Sequence, residues 1–86
     1  MEIYTEGLSW RRKGIPMKIT DSQDFGQAVR NRRKELGYTQ SYLSDFSGLS
    51  VSFISDLERG KKTIELEKAL YLANLLGMDC ILTPRK

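Results

Sequence analysis

The stretch GLSVSFISDLERG, residues Gly48 to Gly60, decides how the chain is read. It closes as a helix closes, with a charged turn, Leu57-Glu58-Arg59, stopped by Gly60. Glycine is the preferred residue just past a helix end. Yet Ser50, Val51, Ser52, Phe53 and Ser55 are weak helix formers, so propensity alone would not choose them. A helix here has to be held by tertiary packing. The spacing predicts Ser50 as its N-cap and Ile54 and Leu57 as its inward anchors. Val51, Ser52, Ser55 and Arg59 are left on the outer face.

Working outward, Gly37, Gly48, Gly60 and Gly77 each follow a segment that can be helical, which divides residues 21–77 into four such segments. The first runs from Asp21 to Leu36. Asp21 is its expected N-cap and Asp24 lies in its first turn, where the helix dipole favours acids. Phe25, Ala28, Val29, Arg32 or Arg33, and Leu36 recur at helical spacing on one face. Arg30, Arg32, Arg33 and Lys34 gather near its C-terminus. The second segment is Gln40 to Ser47, capped by Thr39, with Leu43 inward and Tyr42 and Phe46 assisting. The fourth runs from Ile64 to Leu76 after a Thr63 cap. Leu66, Leu70, Ala73 and Leu76 line one face, broadened by Leu72 and Leu75, as expected of a helix buried against two bodies.

Composition narrows the function classes. An 86-residue chain is read as one domain, near the lower limit for a self-sufficient core, so a dimer interface would help it. Its net charge of +3 permits a nucleic-acid or acidic partner. The sequence holds no histidine and one cysteine, Cys80. That removes the commonest general base, leaves no metal-spaced cluster and permits no internal disulfide. The glycines are too dispersed for a phosphate-binding loop. No enzyme and no cofactor are expected. A reducing, cytoplasmic setting is expected, and no apolar run approaches the ~18 residues of a membrane helix.

Two short helices joined by a glycine-containing turn are the helix-turn-helix motif. Thr39-Gln40, Leu43-Ser44, Ser47-Gly48-Leu49-Ser50, Ile54-Ser55 and Leu57-Glu58-Arg59-Gly60-Lys61 resemble the pattern of the phage-repressor and Cro-like (XRE) helix-turn-helix family, over residues 21–77. One departure is Ser44, where alanine is usual. The resemblance implies that the third helix enters the DNA major groove. Ser50, Val51, Ser52, Ser55 and Arg59 would then read bases, with serine hydroxyls donating or accepting and Val51 meeting a thymine methyl. It also implies that Thr39, Gln40, Lys61 and Lys62 contact phosphates. By the same resemblance Arg33 pairs with Glu58 for structural reasons.

The tail changes character. Residues 78–84, Met-Asp-Cys-Ile-Leu-Thr-Pro, alternate roughly and end at Pro84, which reads as one short strand. A lone strand needs a second one, and Met17-Lys18-Ile19 is a weak candidate. The more economical partner is the same segment of a second copy, pairing through Asp79, Cys80, Ile81, Leu82 and Thr83. The ending also resembles that of HipB-like, or Y4mF-like, antitoxins. That implies a homodimer on a palindromic DNA operator, autorepression of its operon, and association with a HipA-like kinase toxin. Two alternatives stay open: a module that chiefly neutralises a toxin, and a free-standing repressor without one. The expected fold is all-α, four to five helices with one C-terminal strand paired across the dimer. The expected organisation is an extension over residues 1–17 carrying the basic arm Trp10-Arg11-Arg12-Lys13, a DNA-binding domain over 18–77, and a dimerisation strand and tail over 78–86.

Overall fold

A computed structural model describes residues 16–86. The basic arm and nearly all of the expected N-terminal extension lie outside the described residues. Within them the chain forms four helices: α1 Ser22–Glu35, α2 Gln40–Ser47, α3 Val51–Glu58 and α4 Leu66–Leu75. Helix α3 packs against both α1 and α2.

The helix ends follow local chemistry. The side chains of Asp21, Thr39 and Ser50 accept hydrogen bonds from the backbone N–H groups of Asp24, Tyr42 and Phe53, satisfying donors that the first turn leaves open. Asp24 in turn accepts from the Thr20 backbone N–H at 2.9 Å and the Thr20 hydroxyl at 2.8 Å. These bonds hold its carboxyl below the ordinary value of 3.8. Helices α1, α3 and α4 close in the same way. Tyr38, Lys61 and Met78 donate back to the carbonyls of Arg33, Asp56 and Ala73, each across a glycine. Helix α2 ends on Gly48 itself, at φ 81°, a left-handed conformation that a side chain would strain.

The core is made of Val29, Leu43, Ile54, Leu57, Ala69, Leu72 and Leu76, with Phe25, Tyr38, Leu49, Phe53, Ile64 and Met78 packed around them. Gly26 sets the α1–α3 spacing. A Cβ added there would stand 2.2 Å from the Leu57 carbonyl oxygen and 2.9 Å from that of Glu58. The two backbones therefore approach more closely than any side chain would allow. Arg32 ties α1 to the far end of α4, its Nε donating to the Leu76 carbonyl at 2.8 Å.

Three expectations are corrected. Tyr42 and Phe46 do not help fill the core; each is 51% exposed. Helix α2 turns its Leu43–Ser47 stripe inward, and residues one position earlier fall about 100° round the helix. There the two rings stack on each other, 6.0 Å apart at 12°. Helix α4 starts at Leu66 with Glu65, not Thr63, as its N-cap. The preceding Ile64 is drawn against the core, which keeps the chain out of the helix there. Leu66 is consequently an end residue and is 65% exposed, and Leu36 at the end of α1 is exposed too. Residues 78–86 form no strand within the single chain; the pairing expected for them is with a second copy, and Cys80 is exposed.

Candidate nucleic-acid interface

The α2–turn–α3 unit is fixed from inside. Leu43, Ile54 and Leu57 are fully or nearly fully buried. The turn is closed by serines: Ser44 Oγ donates to the Leu49 carbonyl at 2.6 Å, and Ser47 Oγ accepts from the Leu49 N–H at 3.0 Å. Tyr71 of α4 donates its hydroxyl to the Ser47 carbonyl at 2.8 Å. Position 44 thus carries more than a small residue. Its hydroxyl satisfies a turn carbonyl that an alanine would leave to solvent.

With Ile54 and Leu57 inside, α3 presents Val51 and Ser52 exposed and Ser55 half-buried on its other side. These side chains are short, and none carries a net charge. A helix of this kind can lie close to a surface that offers donors, acceptors and methyl groups, as the edges of base pairs in the major groove do. Ser50 stands at the N-cap, its oxygen occupied by the Phe53 N–H at 3.0 Å. Thr39 is likewise occupied at the start of α2, accepting from Tyr42 at 2.9 Å.

Beneath this face lies a buried polar knot. Arg33 and Glu58 meet in a two-pronged ion pair, Nε to Oε2 at 2.7 Å and Nη2 to Oε1 at 3.0 Å, with 10% and 3% of the side chains exposed. The third arm of the guanidinium, Nη1, donates to the Tyr38 carbonyl at 2.8 Å. Gln40 Nε2 donates to the same Glu58 Oε1 at 3.1 Å. Helices α1, α2 and α3 are joined at one point, and the Gln40 side chain points into it. Arg30, Arg33, Gln40, Ser55, Glu58 and Arg59 line one open cleft there. Glu58 is neutralised by Arg33, so the cleft's rim is positive through Arg30, while Arg59 pairs with Asp56. Arg30 makes no ion pair among the described residues.

The end of α3 and the following turn carry the remaining cations. Arg59 lies back along α3, its Nη1 donating to Ser55 Oγ and its Nη2 to Asp56 Oδ1 at 2.7 Å. Lys61 Nζ stands 3.5 Å from Asp56 Oδ2. Lys62 is exposed beside a second cleft lined by Asp21, Ser22, Gln23 and Gly60. Asp79, Cys80, Ile81, Leu82 and Thr83 lie in the exposed tail, outside both clefts. Among the described residues no group of three His, Cys, Asp or Glu side chains could hold a metal ion. No helix there is long and apolar enough to cross a membrane.

Several residues that matter were missed in the sequence. Gly26 had a signal, since a glycine inside a helix costs about 1 kcal/mol against alanine and so points to a close approach. Arg30 was visible as charge, but only the fold brings it to Gln40 and Arg59. Asp56 had only its spacing to Arg59.

Comparison with known proteins agrees with this geometry. The helix-turn-helix family model matches residues 29–80. The uncharacterised HTH-type transcriptional regulator y4mF of Sinorhizobium fredii is 38% identical over 68 residues, covering 78% of this chain and 90% of that protein. The competence pilus inhibition repressor of Acinetobacter baylyi is 48% identical over 50 residues, 58% of this chain and 46% of that one. Among solved structures, the HipB–O4 20mer complex matches with a TM-score of 0.72 and 25% identity, over 80% of this chain and 97% of the other.

Proposed function

The chain belongs to the helix-turn-helix family of transcriptional regulators, and from that premise we propose that it is a sequence-reading repressor, the antitoxin of a kinase toxin. It binds a palindromic operator as a homodimer. Ser50, Val51, Ser52 and Ser55 read base edges and Arg59 joins them, while Thr39, Gln40, Lys61, Lys62 and Arg30, which makes no ion pair among the described residues, hold phosphates. In this reading residues 18–77 are the DNA-binding unit, and Arg33 with Glu58 keeps the three helices in register.

One observation carries the proposal. Helix α3 turns the uncharged short side chains of Val51, Ser52 and Ser55 outward, with Arg30, Arg59, Lys61 and Lys62 nearby and one half-buried carboxylate, Asp56, paired to two of these cations. Phosphate attraction supplies affinity at such cations, and base-edge contacts at the short side chains supply sequence preference. The tail supports the dimer: Ile81 and Leu82 are 77% and 98% exposed, apolar surface that a second copy would cover. Twofold symmetry then places two recognition helices about 34 Å apart, one turn of DNA. The toxin partner rests on likeness to HipB and on the resemblance of the tail.

A second reading, a module that chiefly restrains a partner protein, is favoured by the exposed, stacked rings of Tyr42 and Phe46 on α2, which lean on the half-buried Tyr38 just before it. Titration against DNA from upstream of the chain's own gene, with scrambled DNA as control and two salt concentrations, separates the two readings. The repressor reading predicts selective binding that survives moderate salt. Equal, salt-sensitive binding to both DNAs would overturn it in favour of the interaction module.

A further inference from the structure

Asp56 stands on the proposed DNA-binding face, where a carboxylate is out of place beside phosphates. Both of its oxygens are occupied by cations of that face: Arg59 Nη2 at 2.7 Å on Oδ1, and Lys61 Nζ at 3.5 Å on Oδ2. The other terminal nitrogen of Arg59 is taken by Ser55 Oγ. The two terminal nitrogens with which a guanidinium can grip a guanine edge or a phosphate are thus already engaged within the protein. Lys62, next along the turn, makes no ion pair among the described residues. The contrast is local: one segment holds two restrained cations and one unrestrained.

We propose that Asp56 is a specificity residue of this interface, restraining Arg59 and Lys61 so that DNA of arbitrary sequence is held weakly. The inference rests on the DNA-binding reading given above. Phosphates of any sequence attract the two cations as point charges, and that attraction is reduced by a carboxylate already paired with both. Directed hydrogen bonds at the correct site outbid the carboxylate. The restraint is soft enough to open, because Arg59 and Lys61 side chains are 68% and 52% exposed and Asp56 is 31% exposed; pairs so exposed are weak and screened by salt. Asp56 therefore subtracts more from sequence-independent binding than from operator binding, and it widens the ratio between them.

The test uses the full chain, with upstream DNA and scrambled DNA titrated over a range of salt. Asp56→Asn keeps the shape and the backbone carbonyl that accepts from Lys61. It should tighten binding to scrambled DNA about three- to tenfold, from the release of two exposed pairs. The salt dependence of that binding should steepen by about one unit, as one more net positive charge faces the phosphates. Operator affinity should rise less, so the ratio narrows. Asp56→Glu, which keeps the charge, should restore the wild-type ratio. In an Arg59→Ala, Lys61→Ala background most of the effect of Asp56→Asn should vanish, which a merely structural role would not produce. Scrambled-DNA binding that is unchanged or weaker in Asp56→Asn overturns the proposal. So does a loss confined to operator binding, which would make Asp56 an orienting partner of Arg59. If the wild-type chain shows no preference between the two DNAs, the reading beneath the proposal fails first, a result separable from failure of the variant alone.

Discussion

Two acidic residues two positions apart on α3 meet arginines, and their surroundings set opposite roles for them. Glu58 is buried against Arg33, gripped by two donors of the guanidinium and by Gln40. Asp56 meets Arg59 and Lys61 in the open. The first pair joins three helices and has no solvent to fall back on. The second can exchange its partners for water or for a phosphate at little cost. The difference is one of burial, and it divides the end of α3 into a buried structural side and an exposed side.

The comparison can be broken most forcefully from the buried side. Arg33→Ala strands the Glu58 carboxylate and the Tyr38 carbonyl, and it should cost about 3–5 kcal/mol, a large share of the stability of so small a domain. Chemical denaturation measures this, and an unchanged midpoint would contradict the structural role. Gly26→Ala attacks the same junction without touching charge. Alanine is the better helix former by about 1 kcal/mol, yet its methyl would collide with the carbonyls of Leu57 and Glu58. A net loss of about 1–3 kcal/mol is expected. A gain in melting temperature would show that α1 and α3 can move apart freely. Ser50→Ala removes the cap of α3 and should cost about 1 kcal/mol, measured by the same denaturation. On the exposed side, Arg59→Ala should leave stability within about 0.5 kcal/mol while weakening DNA binding in titrations. The smallest effect concerns Asp24. Its folded-state carboxyl is held below the ordinary 3.8 by Thr20. Its contribution to stability is therefore present above that value and is lost as pH falls from there through the lower folded-state value. Melting curves of wild type and Asp24→Asn should converge in that acidic window and differ slightly above it.

Much of the fold was legible because its signals are local. Thr39 and Gly48 bound α2 as cap and stop, and the structure has α2 between those two residues. Asp21 and Ser50 likewise cap α1 and α3. Local signals failed where tertiary contacts decide. Ile64 is claimed by the core, which moves the start of α4 past Thr63. Tyr42 and Phe46 look like core residues by type and lie outside by angle. The tail's strand pattern finds no partner among the described residues, as expected of a segment read as pairing with a second copy. For the site, the outward positions of α3 follow from the inward ones. The sequence could not tell that the Gln40 side chain turns to Glu58, or that Arg59 folds back onto Ser55 and Asp56, because those depend on where three helices end in space.

The outer face of α3 is the surface proposed to read DNA sequence. The decisive quantity is the ratio of affinities for upstream and scrambled DNA in a Ser52→Ala, Ser55→Ala variant, with its melting temperature measured alongside. If α3 reads bases, the ratio falls about tenfold, from two lost hydroxyl contacts at roughly 0.5–1.5 kcal/mol each, while the melting temperature stays close to wild type. A ratio equal to that of the wild-type chain would contradict that reading and move sequence recognition away from this helix.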